Sequence, residues 1–349
     1  MSAPPDPGID VVRDRRQLER ATEAPLPSDE LPRYGGHGYT PAENAVAFAD
    51  PETAGVAAPL RIEAVSGVVL EAKDLAATRD FYSVIFRGAP IEWREDARTL
   101  TLQAERERVE FIRRPRPRTV AHAGLHTAFR VKPGRVREIA DELSAAGHTV
   151  NWWREDHPSE REVTAYLEDP SGNIIQLVPS DDDSALVDHY YVPVEDIEHG
   201  ELFYLKALLG QLDTYYGYTT EDTKAARRWA KGDDPCAPWT RNSYVSFRTH
   251  QPNPTPAAQI FARFGGQYLG ISLTGKRLPE PSEELLKGTP RAVLRTSQSV
   301  DEVAAYVASV RISAVSLKYD GGKVPFRRQG QSIFLRDRSG NFFQIECGP

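Results

Sequence analysis

Eight histidines and two cysteines are the side chains of this chain best suited to hold a transition metal. Cys236 and Cys347 are too few for a disulfide framework or a thiolate-rich site, so metal chemistry falls to imidazoles and carboxylates. Near the C-terminus Glu346 stands two residues beyond Gln344, and on a strand both project to one face. With His189 and His250, Glu346 would complete a two-His-one-carboxylate set, which leaves positions on Fe(II) open for substrate and oxygen. The plainer reading pairs Glu346 with an arginine and leaves His250 on a surface loop. Tyr190, Tyr191, Tyr215, Tyr216 and Tyr218 gather near His189, and such aromatics suit a flat aromatic ligand. The chain shows no Gly-rich nucleotide fingerprint, no serine-nucleophile elbow and no metalloprotease motif.

The elements that must position these residues repeat. Val68–Ala72 reads as a strand. Asp74 opens a helix with Leu75, Thr78, Phe81, Tyr82 and Ile85 on one face, closed at Gly88. Strands at 91–94, 99–103 and 108–112 complete a βαβββ unit. The unit recurs from His126, with a helix over 134–146, strands at 149–153, 163–167 and 174–178, and a turn at Asp169-Pro170-Ser171-Gly172-Asn173. After the acidic break Ser180–Ser184 it restarts with a strand at 188–194 and a helix from Asp196 through Phe203 and Tyr204 to Gly210. A fourth unit has a strand at 292–295, a helix at 300–310 and the turn Asp337-Arg338-Ser339-Gly340-Asn341. Such self-similarity implies duplicated modules.

The chain has 349 residues and a net charge of -7, which suits two soluble domains and argues against a general nucleic-acid binder. No apolar run is long enough to span a membrane, and residues 1–20 lack the apolar core of a secretory signal, so the expected location is cytoplasmic. Residues 1–60 are rich in proline and read as an arm, disordered or draped over the body, or else as a small cap around Tyr34–Tyr39. The first domain is expected over 61–180 and the second over 186–349, each built from two consecutive modules. An insertion at 211–245 interrupts the second domain. The run Arg113–Arg118 reads as a solvated linker, and Trp152-Trp153 as a strand pair with one ring facing the core.

Four α+β modules with Phe-Tyr first helices and Asp-x-Ser-Gly-Asn turns resemble the vicinal oxygen chelate superfamily. That group includes glyoxalase I, bleomycin-resistance proteins and type I extradiol ring-cleavage dioxygenases. The segment Ser339–Gly348 looks like the last strand of the dioxygenases. The resemblance implies paired βαβββ modules whose curved sheets hold a divalent metal, Fe(II) or Mn(II). It puts His189, Arg291 and Gln344 at ligand positions of the second domain, with Glu346 as a substitute carboxylate. It puts Glu110, His126 and Gln176 at ligand positions of the first. Tyr166 matches a catalytic tyrosine, and His250 is a candidate second imidazole or proton carrier. The implied activity is that of an enzyme resembling extradiol dioxygenases, acting on a small aromatic or oxygen-rich molecule. The alternatives are a metal-free binding protein of the resistance type and a glyoxalase-like lyase or isomerase. The expected partners are a small molecule and a second copy in a homodimer, without nucleic acid or membrane.

Overall fold

The computed structural model describes residues 59–117, 126–153, 160, 163–182, 186–194, 202–208, 210–216, 259–273, 290–313, 318–324, 326–337 and 339–349. His250 and nearly all of the Pro-rich arm lie outside the described residues.

The first module runs β1 (Ala64–Ala72), α1 (Leu75–Ile85), β2 (Glu92–Glu95), β3 (Thr99–Gln103) and β4 (Arg108–Arg113). The second runs β5 (His126–Val131), α2 (Arg135–Ala145), β6 (Val150–Trp153), β7 (Thr164–Glu168) and β8 (Ile174–Pro179). The third runs β9 (Val187–Val194), a π-helix (Leu202–Ala207), β10 (Gln211–Tyr216), β11 (Gln259–Phe264) and β12 (Gln267–Leu273). The fourth opens with β13 (Arg291–Ser299) and α3 (Val300–Ser309). The short pair β14 (Arg311–Ser313) and β15 (Lys318–Lys323) follows, then β16 (Phe326–Gln329), β17 (Ser332–Arg336) and β18 (Phe342–Gly348).

Local chemistry accounts for these elements. The Asp74 carboxylate accepts from the amides of Ala76 and Ala77 at 2.8 and 3.1 Å, capping α1. Ser299 and Glu302 form a reciprocal capping box on α3. The expected helix ending at Gly210 is, in its described part, a π-helix. The Leu208 amide donates to the Phe203 carbonyl, five residues back, at 2.9 Å. Gln211–Tyr216, expected to begin an insertion, is instead the second strand of its module and pairs with β11.

Within each module the first strand pairs parallel with the last. Two eight-stranded sheets result, in the orders β16-β17-β18-β13-β1-β4-β3-β2 and β10-β11-β12-β9-β5-β8-β7-β6. The first and fourth modules therefore share one sheet, and the second and third share the other. This differs from the expectation that consecutive modules, over 61–180 and 186–349, each form a paired sheet. Chain geometry supplies the reason. Only β5 separates β8 from β9, so the end of one and the start of the other lie about 10 Å apart across the sheet.

Consecutive modules are partners in another way, back to back. The apolar faces of both sheets meet in one continuous core that also takes Phe81, Ile139, Phe203 and Val303 from the helices. The Tyr82 hydroxyl of the first module donates to Asp169 Oδ2 in the turn of the second, at 3.2 Å. The Tyr204 hydroxyl of the third donates to Asp337 Oδ2 in the turn of the fourth, at 2.7 Å. Each of these aspartates also accepts from the backbone amide and the side-chain amide of its own Asn, Asn173 or Asn341, at 2.8 Å. The repeated Phe-Tyr and Asp-x-Ser-Gly-Asn motifs are thus two halves of one buried clasp. With the apolar faces turned inward, the opposite faces of the sheets form two outward cups.

Burial pushes the carboxyls of Asp169 and Asp337 up to about 6. Because the folded value lies above the unfolded one, their contribution to stability is full below about pH 4 and is lost as pH rises through about 6. Above that range the tyrosines donate to carboxylates, and below it to neutral acids. Tyr82→Phe and Tyr204→Phe are each expected to cost about 1.5–3 kcal/mol at pH 8 and about 1 kcal/mol at pH 4.5. Urea unfolding against wild type at both pH values checks this, and equal losses would refute it.

Candidate functional site

Register decides which side chains share a cup, because cross-strand partners face the same side of a sheet. On the sheet of the second and third modules, one row runs His189, Ala128, Gln176, Tyr166 and Asn151. The neighbouring row carries His126, Tyr191, Gly270 and Phe261. On the sheet of the first and fourth modules, the corresponding rows carry Arg291, Val69 and Glu110, then Arg108, Gly67, Val293, Gln344 and Phe334. Glu346 and Ser332 lie one row further along.

In the first of these cups two modules bring their imidazoles together. His126 Nε2 and His189 Nε2 are 3.1 Å apart. A β-bulge explains how His189 is held. Ala128 faces His189 while Phe129 faces Val187, so Asp188 is the extra residue of β9. The bulge breaks the alternation and turns the Asp188 carboxylate toward the neighbouring ring. Asp188 Oδ2 accepts from His189 Nδ1 at 2.9 Å, and Arg130 Nε donates to Asp188 Oδ1 at 3.1 Å. Arg130 is itself held by Asp182 Oδ2 at 3.0 Å and the Gly266 carbonyl at 2.6 Å. A carboxylate only accepts, so it fixes the proton of neutral His189 on Nδ1 and leaves a lone pair on Nε2.

Aromatic rings wall this cup. Tyr191 stacks on His126 at 4.6 Å between centroids, Phe261 meets His189 edge-on at 5.5 Å, and Tyr166 meets His126 edge-on at 5.6 Å. Desolvation raises the pKa of the Tyr166 hydroxyl, which therefore stays protonated at physiological pH.

A metal fits this donor set. Two nitrogens at ~2.1 Å from one cation, at 90–109°, stand roughly 3.0–3.4 Å apart, which matches the spacing of the two Nε2 atoms. Gln176 shares their face and supplies a neutral oxygen. The matching position on the third module is Gly270. A β-carbon there would run into the ring of Tyr191, so no side chain can ligate from it. Among the described residues no three His, Cys, Asp or Glu side chains form a metal-holding group.

The other cup does not fit a metal. Arg291 stands in the row position of His189, and its Nε donates to Gln344 Oε1 at 2.9 Å. Arg108 Nη2 donates to Glu346 Oε1 at 2.5 Å, and Gln344 Nε2 donates to Ser332 Oγ at 3.2 Å. Glu110 Oε2 lies 3.9 Å from Arg108 Nε. Burial lowers the Arg291 guanidinium to about 10, which leaves it cationic near neutrality. Gly67 occupies the remaining first-strand position, where a β-carbon would collide with the Arg108 carbonyl.

The expected sets are therefore regrouped. His126, Gln176 and Tyr166 join His189, whereas Glu110, Gln344 and Glu346 lie in the opposite cup. The set Glu110–His126–Gln176 does not assemble, because its members belong to different sheets. For the same reason Glu346 cannot join His189, and it pairs with Arg108 instead. Asp188, Arg130 and Gly270 escaped the sequence reading. The Asp-His adjacency was visible, but strict alternation places Asp188 on the face away from His189.

The charged cup gives a stability test. Arg291→Met removes the cation that shares the row of Glu110, leaving Arg108 alone beside that carboxylate, and is expected to cost about 1–3 kcal/mol in urea unfolding. Glu110→Gln in the same chain should return part of that loss, with a coupling of about 0.5–2 kcal/mol. Strict additivity would show that the two groups do not interact.

Comparison with known proteins agrees with this geometry. Residues 67–178 match the family model of the glyoxalase-like domain. No curated protein matches the chain. Glyoxalase I from Zea mays superposes with a TM-score of 0.51 at 15% identity, over 82% of this chain and 92% of that one. A single-site mutant of the same enzyme gives 0.53 at 15% identity, over 82% and 94%. A putative dioxygenase from Bacillus subtilis gives 0.49 at 13% identity, over 83% and 87%. At these identities the likeness is one of fold. Residues 67–178 thus form a glyoxalase-like domain, and the chain shares the fold of glyoxalase I through both sheets.

Proposed function

We propose that the cup of the second and third modules is the working site, and that it binds a divalent cation together with a small aromatic or oxygen-rich molecule. The observation that carries this reading is the 3.1 Å approach of His126 and His189, with His189 oriented by Asp188. A bound Fe(II) or Mn(II) ion would supply Lewis acidity to two vicinal oxygens of the ligand. His126, His189 and Gln176 would hold it. All three are neutral donors, so the site would favour ligand oxygens that are anionic or easily ionised. The rings of Tyr191 and Phe261, packed against each other, would wall one side of a flat ligand and exclude water. The Tyr166 hydroxyl, kept neutral by its surroundings, would hold a proton beside the ligand and donate a hydrogen bond to a developing oxyanion. In this reading the chain is an enzyme of dioxygenase-like or lyase-like type. His250, a further candidate proton carrier, lies outside the described residues.

A second reading, a metal-free binding protein of the resistance type, draws on the loss of the fourth ligand at Gly270. In it, His126 Nε2–H donates to His189 Nε2, and the pair is self-satisfied.

Titration with Mn(II) separates the two. The first reading expects about one ion per chain, lost with His126→Ala or His189→Ala and weakened about 10–100-fold by Asp188→Asn. Glu346→Gln should leave the affinity unchanged. Uptake below about 0.1 ion per chain in the wild type, after supplementation with iron or manganese, would sink the first reading and leave the second.

A further inference from the structure

Asn151 lies three strands from the seam, at the end of the row that begins with His189. Its neighbours Val150 and Trp152 pack against the core, so the side chain of Asn151 faces the cup. It is only 6% exposed, yet among the described residues neither Oδ1 nor Nδ2 has a hydrogen-bond partner. A buried amide with nothing to bond is destabilising, and proteins leave few of them. Nothing on the core side explains its presence, since Leu167 and Ala165 opposite Val150 and Trp152 are apolar.

We propose that Asn151 is the distal recognition residue of this cup, and that the ligand is a two-ended molecule carrying a neutral amide or lactam at its far end. The chelated end rests on the metal reading above; the distal end rests on Asn151 alone. Asn presents a donor and an acceptor side by side, and an amide or lactam matches the two at once with a pair of parallel hydrogen bonds. A carboxylate would satisfy Nδ2 and leave Oδ1 bare. The span follows from the sheet. Three strand spacings of ~4.8 Å put β6 about 14 Å from β5. Subtracting ~2 Å for a metal–oxygen bond and ~3 Å for a hydrogen bond leaves a ligand of roughly 9 Å, about two linked aromatic rings. Tyr166, on the strand next to Asn151, stands between the two ends, along the length of such a molecule.

Two measurements test this. The first uses the metal-free protein. Asn151→Leu removes a buried amide that bonds nothing, so Tm should rise by about 2–4 °C. A fall in Tm with this variant and with Asn151→Ala alike would show that the amide has a structural partner and would overturn the proposal. Asn151→Ala guards against overpacking by the larger side chain. A lower Tm in both variants counts against the proposal, and a higher Tm in either supports it. The second uses Mn(II)-loaded protein and calorimetry with a biphenyl catechol bearing a para-carboxamide on its second ring, the unsubstituted biphenyl catechol, and the para-carboxylate. The carboxamide should bind about ten-fold tighter than the other two, and Asn151→Leu should bring the three together. Equal binding of the three by the wild type, or a preference that survives Asn151→Leu, would overturn the proposal. If none of the three binds to the loaded protein, the two-ended ligand is ruled out and the proposal is overturned, whereas failure to load Mn(II) at all would count against the metal reading instead.

Discussion

The antiparallel seam between β5 and β9 is the constraint on which the rest depends. Each module can cover its apolar face against helices but is left with an open edge on its first strand. Pairing β5 with β9 closes that edge for the second and third modules, and pairing β1 with β13 closes it for the first and fourth. Among the described residues the two large sheets end at β16 and β2 and at β10 and β6, and on β2 and β16 charged side chains discourage further strand addition. The seam is also what joins His126 to His189. Neither module could make that pair alone, so the fold and the candidate site rest on one set of backbone hydrogen bonds. Glu107 reinforces the arrangement from the other sheet. Its carboxylate accepts from the amides of Leu186 and Val187, where β9 begins, and from Gln267 Nε2 on β12.

One scaffold thus presents two cups with different chemistry. Both seams contain a bulge, at Ser66 in β1 and at Asp188 in β9. In β9 the bulged residue is an aspartate that orients an imidazole. In β1 it is a serine bonded to the Val293 carbonyl, and it is followed by a glycine that has no room for a side chain. Arg291 then places a fixed cation where the other cup has an imidazole. A guanidinium held by Gln344 and flanked by Glu110 and Glu346 is a polar network whose fixed positive charge would repel a metal ion.

The modules were legible in the sequence because their signals are local. Asp74 and its apolar face at helical spacing, and the two Asp-x-Ser-Gly-Asn turns, each depend on residues within a few positions. The partners of the modules were not legible. The first strands of all four are short apolar runs of the same period, and nothing in Val68–Ala72 or His126–Val131 says which edge each will meet. That information lies in linker lengths and in the buried clasps of Tyr82 with Asp169 and Tyr204 with Asp337. The candidate site followed suit. His126, His189, Gln176 and Tyr166 were found as residue types but assigned to separate sites, because their convergence is set by the seam. Asn151 carried no sequence signal at all, since an asparagine inside a strand is unremarkable until its neighbours are seen to offer it no bond.

The pairing of modules is tested most directly by NMR in selectively labelled protein, through proton contacts across the two seams. Strand contacts should link Thr127 with Tyr190 and Val68 with Ala292, as the antiparallel registers require. Contacts linking the β1 strand to β5 instead, with none between Thr127 and Tyr190, would place consecutive modules in one sheet. They would also separate the two imidazoles and contradict the account.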